Sequence, residues 1–125
     1  MPGVPIVKLH DVLLVTIQDE LLDYSVDELQ QQITEQVVEQ QARGVLIDIS
    51  VLDVVDSFLA RTLHDIAAAT SLLAAKTVVV GMRPAVAITL VELGLVLAGL
   101  QTALSVEEAL DILHEGGRPR RTARR

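Results

Sequence analysis

The chain has 125 residues, half of them apolar, with Tyr24 and Phe58 as its only aromatics, no cysteine and a formal charge of −7. One domain with a full aliphatic core fits that size, whereas disulfides, thiolate metal sites and cysteine nucleophiles are excluded, and the want of aromatic stacking surfaces argues against nucleic acid. Five of the ten basic residues (Arg118, Arg120, Arg121, Arg124 and Arg125) lie in the last eight positions, leaving five against seventeen acidic ones, a balance of −12 that suits basic protein partners.

Residues 1–11 carry Lys8, His10 and Asp11 with no long apolar segment after a basic start, so no signal peptide is expected. Apolar, β-branched runs at 4–9 and 12–17, parted by His10 and Asp11, predict two strands joined by a tight turn. Ser25-Val26-Asp27-Glu28 has the form of a capping box. Val26, Leu29, Ile33 and Val37 then repeat at helical spacing, and Gly44 is placed to close that helix in a left-handed conformation.

Residues 45–49, interrupted only by Asp48, predict a central buried strand. A loop from Asp53 leads to a second helix starting near Ser57, with Phe58, Leu59, Leu63, Ile66, Ala67 and Leu73 expected on its inward face. Residues 77–80 form a third buried strand ended by Gly81, and Pro84 opens a helix that runs to about Leu93, with Gly94 ending it. The segment 85–100 is strongly apolar but holds Glu92, Gly94 and Gly99 and is shorter than the ~20 residues of a membrane span. No membrane association and a cytoplasmic location are therefore expected. A short strand near 100–103 precedes a second capping box, Ser105-Val106-Glu107-Glu108, and a last helix to His114. Gly116 and Gly117 end that helix, and residues 116–125 read as a disordered basic tail. The order β-β-α-β-α-β-α-β-α predicts a single α/β domain over 4–115, without repeats or linkers. Its sheet would be mainly parallel and four- to five-stranded, with an antiparallel N-terminal pair and four helices.

Asp56-Ser57 is the most informative position for chemistry, because it opens a helix just beyond the end of a central strand. Functional groups gather there in open α/β sheets, and the unpaired N–H groups of a helix start favour a phosphate. A phosphoserine at Ser57 would add about −1.5 to −2 charges to an acidic surface and repel a docked partner. An N-cap role for Ser57 or Asp56 fits the same spacing. His10, His64 and His114 lie in different elements without the spacing of metal ligands and read as surface histidines. Asp48, Asp53 and Asp56 cluster at the strand end, but Lys76 is poorly placed for a phospho-aspartate receiver, so they read as loop caps that orient Ser57. There is no GxxxxGK or GxGxxG phosphate loop. No catalysis, metal or cofactor is expected.

The stretch GVLIDISVLDVVDSFLARTL resembles the strand–loop–helix signature of STAS domains, in which an Asp-Ser pair opens the second helix. VVDSFLARTLHDIA and VVVGMRPAVAITLVELGL further resemble the RsbS-type antagonists of bacterial stressosomes, and the Arg-Pro helix opening is the more discriminating motif. The resemblance covers nearly all of residues 4–115. It implies that Ser57 is phosphorylated by an RsbT-type serine/threonine kinase and reset by an RsbX-type phosphatase. It also implies self-association and mixing with RsbR-type sensor proteins into a large hollow assembly that retains the kinase until phosphorylation releases it. With no sensory domain ahead of the STAS region, the chain would be the minimal scaffold subunit.

Asp53, Asp56, Phe58 and Arg61 flank the phosphosite as partner-binding candidates, and Arg83, Leu90, Val91, Leu95 and Leu97 are interface candidates. Arg83 is expected to steer a partner's carboxylate. Thr62, Thr77 and Thr89 are further hydroxyls that a kinase could use. A monomeric anti-anti-sigma factor switched at the same serine is the alternative reading. More distant ones are a phosphotransfer or nucleotide-binding enzyme with Mg²⁺ on the aspartates, and a regulatory domain of a membrane anion transporter.

Overall fold

Strands that are apolar at successive positions, instead of alternate ones, need cover on both faces of their sheet. The computed structural model, which describes residues 5–17, 23–52, 57–92 and 100–115, supplies that cover. Among the described residues the order is β1 (Ile6–Leu9), β2 (Val12–Thr16), α1 (Asp23–Gln40), β3 (Gly44–Asp48), α2 (Ser57–Ser71), β4 (Lys76–Val80), α3 (Pro84–Glu92), β5 (Leu100–Ala103) and α4 (Val106–Glu115). The five strands lie side by side in chain order. β1 is antiparallel to β2, and β2 through β5 are parallel. The predicted α/β architecture and element order hold.

Two cores result. On one face Leu13, Val15, Val45, Ile47 and Val79 pack with Leu29, Ile33 and Val37 of α1 and Leu59, Leu63 and Ile66 of α2. On the other, Val12, Leu46, Val78, Val80 and Ala103 pack with Ala109 and Leu113 of α4. The α2 stripe runs through Leu59, Leu63, Ile66 and Thr70, at helical spacing. Two residues expected on this inward face are not on it. Phe58 lies one position off the stripe and is 38 % exposed, and Leu73 falls beyond the end of α2, also 38 % exposed. Thr70 and Thr77 are buried but pair their hydroxyls at 2.7 Å, which removes the cost of burying them.

The helix ends differ from the sequence reading in two places. α1 already includes Asp23 and Tyr24, so Ser25 lies within its first turn and not at its cap. At the other end the left-handed residue is Gln41 (φ 53°), three positions before Gly44. Ala42 donates to the Val37 carbonyl at 3.0 Å and Gln41 to that of Val38 at 3.4 Å, the paired bonds of a Schellman closure. α2 closes in the same way on Ala74 (φ 63°), with Ala75 donating to Thr70 and Ala74 to Ser71. Gly44 instead opens β3, where a Cβ would stand 2.6 Å from the Leu113 side chain, so its smallness serves the packing of α4 on the sheet. The second capping box forms: the Ser105 hydroxyl accepts from the Glu108 amide at 3.1 Å, and the Glu108 carboxylate accepts from the Leu104 amide at 2.7 Å.

At the N-terminal ends of the parallel strands, Asp11 joins three elements. Its carbonyl accepts from the Arg43 amide at 2.8 Å, and its carboxylate lies 3.4 Å from both Arg43 and His114. His114, read from sequence as a solvated histidine, is thus drawn against the turn between β1 and β2, with about a third (34%) of its side chain exposed. Partial burial pushes the Asp11 carboxyl up, but hydrogen bonds from its own backbone N–H, His114 and Arg43 outweigh this and hold it below the ordinary value.

Two outcomes follow from these ends. Ala74→Gly relieves a left-handed alanine and is expected to raise stability by about 0.5–1 kcal/mol, read as a higher urea midpoint at unchanged slope. The Asp11 contribution is full above the unfolded value of about 3.9 and is lost as pH falls through the lower folded value. Asp11→Asn is therefore expected to lower stability at neutral pH, with the difference between wild type and variant shrinking in melts taken as pH falls below the ordinary carboxylate range.

Candidate functional site

Parallel register brings the C-terminal ends of four strands into one row, Thr16, Asp48, Val80 and Ala103. The ladder extends one residue further, because Ile17 donates to Asp48, Ile49 to Val80 and Gly81 to Ala103, at 2.9–3.0 Å. Ser57 begins α2 at this edge. The backbone leaving β3 is shaped locally: the Asp48 carboxylate accepts from the Ser50 amide at 2.9 Å, and Leu52 donates to the Ile49 carbonyl at 3.0 Å. Asp48 thus caps the loop as expected for a short acidic side chain at such a place.

The connection from β4 to α3 presses against this loop. Gly81 has φ 78°, and a Cβ on it would stand 2.6 Å from the Ser50 Cβ. Two residues later the Arg83 Nε donates to the Ser50 carbonyl at 3.2 Å. Arg83, an interface candidate from sequence, is exposed and also makes this contact within the chain. Sequence reading took Gly81 only as a strand terminator and passed over Ser50. The Arg-Pro pair was the available signal, since a residue before proline is held extended.

Around this edge several apolar and basic side chains face outward. Val51 is 56 % exposed, Phe58 lies in the first turn of α2, and Arg61 follows one turn on, also exposed. On α3, Val91 is 77 % exposed and Ile88, which the sequence reading did not single out, is 58 % exposed. Asp53, Asp56, Leu95 and Leu97 lie outside the described residues, as do the side chains of Ser57, Thr89 and Leu90. Two of the other candidate hydroxyls are enclosed: Thr62 is buried and donates to the Phe58 carbonyl at 2.8 Å, and Thr77 is tied to Thr70. His64 is partly exposed beside Asp65 on α2, and His10 lies in the β1–β2 turn, so the described histidines stay in separate places. No helix among the described residues is long and apolar enough to cross a membrane.

A five-stranded mixed sheet with this helix order, and a serine as the first residue of α2, defines a class of regulatory domain. The STAS domain family model matches residues 4–109, and the chain belongs to that family. A serine-to-glutamate variant of RsbS from Moorella thermoacetica is 42 % identical, with 92 % of this chain and 97 % of that chain covered and a TM-score of 0.80. A chain from a structure of the stressosome, described as a signal integration and transduction hub, is 41 % identical over 91 % of this chain and 99 % of its own, also at 0.80. YezB of Bacillus subtilis, an uncharacterised protein, is 32 % identical over 74 residues, covering 59 % of this chain and 76 % of YezB.

The contact between Gly81 and Ser50 leaves no room for a methyl group. Gly81→Ala is expected to cost at least about 1 kcal/mol in urea unfolding and to shift the amide resonances of Ser50 and Val51.

Proposed function

We propose that the chain is a non-enzymatic, RsbS-like stressosome scaffold of the cytoplasm that holds an RsbT-type serine kinase and releases it when Ser57 is phosphorylated, so regulating a bacterial stress response. The observation that carries this reading is the placement of Ser57 as the first residue of α2, in a chain 42 % identical to an RsbS studied with a serine replaced by glutamate. The start of a helix tolerates added negative charge well, so phosphorylation there changes the surface without unfolding the domain. The partner, by contrast, meets about −1.5 to −2 new charges.

Val51, Phe58 and Arg61 border that point and offer the mixed apolar and basic contacts from which added charge would displace a partner. Asp53 and Asp56 flank it in sequence. Self-association and mixing with RsbR-type sensors use the outer side of α3, where Ile88 and Val91 are exposed and Leu90 lies between them in sequence. An RsbX-type phosphatase resets the switch. The domain spans residues 4–115, and residues 116–125 act as a solvated basic tail.

Ser57→Asp is expected to weaken binding of the cognate kinase about tenfold or more, and Ser57→Ala to leave it intact, by calorimetric titration. An Asp variant that holds the kinase as tightly as wild type overturns the switch. Light scattering on the chain with a sensor-type STAS partner should give a particle many times the 13.5 kDa of one chain. A strict monomer in that mixture favours an anti-anti-sigma factor using the same serine.

A further inference from the structure

The C-terminal ends of α1 and α2 leave a groove of about 370 Å³ between them, at the edge of the sheet where β3 and β4 begin. Val37, Val38, Ala42, Leu73 and Ala74 give it an apolar lining, to which Arg43 adds a charge. Beside it Leu72 is 88 % exposed and Val38 61 % exposed. The α2 stripe turns inward at Leu63, Ile66 and Thr70, and two further steps of about 100° carry Leu72 to the outside. The Schellman closures on Gln41 and Ala74 fix the backbone on both sides of the groove. A protruding leucine next to a groove that can receive one makes a self-complementary surface, because a twofold axis exchanges the two. The charges follow the same pattern. Glu35, one turn before Val38 on α1, and Arg43, beyond the end of that helix, are both exposed. The Arg43 guanidinium has five N–H donors and meets Asp11 through one nitrogen at 3.4 Å. A twofold axis reverses the direction of the groove, so Glu35 of one copy is brought toward Arg43 of the other.

We propose that this patch is a contact between two copies of the chain, with Leu72 of each seated in the groove of the other and Arg43 meeting Glu35 on both sides. Its place in a larger particle rests on the scaffold reading above. A twofold contact on its own closes at two subunits, and a particle of many chains combines it with a different one. The outer side of α3 serves as that other contact. Ser57 starts α2 and Leu72 follows its last residue, which puts them about 22 Å apart along a 15-residue helix. The contact therefore leaves Val51, Phe58 and Arg61 open to a kinase. The patch is small beside the roughly 20–30 residues a side of a stable interface. It is weak between two free chains and gains strength once other contacts hold those chains together.

The test is sedimentation equilibrium of the full chain alone, from about 10 μM to about 1 mM. Wild type should pass from the 13.5 kDa of one chain toward twice that mass, with a dissociation constant on the order of 100 μM. Leu72→Glu should raise that constant about tenfold or more, by placing a charge in an apolar groove. Leu104→Glu, which changes an 84 % exposed leucine just after β5 at the opposite edge of the sheet, should match wild type. The chain has no cysteine, so Val38→Cys and Leu72→Cys chains mixed under a mild oxidant should form one disulfide between unlike chains, identified by mass spectrometry of the linked peptides. Both positions are exposed, so neither change threatens the fold. Wild type that stays monomeric throughout overturns the inference, whatever it builds with a sensor-type partner. So does a Leu72→Glu chain that associates as wild type does, or the absence of a link between the two introduced cysteines. A loss from Leu72→Glu seen only in a mixture with a sensor-type STAS protein makes the patch a contact between unlike chains and also overturns it. Dimers that form through Leu72 but build no larger particle with that partner leave the contact standing and remove the scaffold reading.

Discussion

A parallel strand can follow another only if the chain returns across a face of the sheet. That constraint organises the molecule. It places a helix between β2 and β3, between β3 and β4 and between β4 and β5, and it gathers the strand C-termini at one edge. It also requires β3 to be covered on both sides, and Val45, Leu46 and Ile47 are each fully buried. The aliphatic composition is a consequence, since flat two-sided packing between helices favours Val, Ile and Leu over large rings. Among the described residues, the hydroxyls caught inside are paired with one another or with helix carbonyls.

Within that frame the two ends of the sheet do different work. The N-terminal ends are tied by Asp11, Arg43 and His114, which link the β1–β2 turn, the entry to β3 and the last turn of α4. The C-terminal ends carry Ser57, the outward-facing Phe58 and Val51, and the contact of Arg83 and Gly81 with Ser50. A rigid platform at one end and a loop held from a neighbouring helix at the other suit a domain that signals by changing its surface and keeping its fold.

Much of this was legible in the sequence. Element order, the two N-terminal strands, the apolar stripe of α2 and the Ser105 capping box follow from hydrophobic period and cap chemistry, which act over a few residues. The errors came where distant parts decide. Gly44 looked like a helix terminator, but the left-handed closure falls on Gln41, and the glycine answers to Leu113, 69 positions away. Phe58 was assigned inward on hydrophobicity alone, and a single step of about 100° around the helix turns it out. Arg83 and Ser50 were not connected because no local pattern records a side chain reaching across to another loop's carbonyl. Ile88 was missed because α3 is apolar on every side, so sequence gives no contrast between its faces.

The strands lie in space in the order in which they are synthesised. As the chain emerges from a ribosome, each new strand finds the edge it needs already formed, and no strand has to insert between two others. The covers arrive less evenly. α1 and α2 close their face early, whereas the face holding Val12, Leu46 and Val78 waits for α4, the last helix made. Until residues 106–115 are out, the nascent domain has its sheet assembled and one apolar side open to water, which is the interval in which it is most exposed to aggregation and most in need of a chaperone.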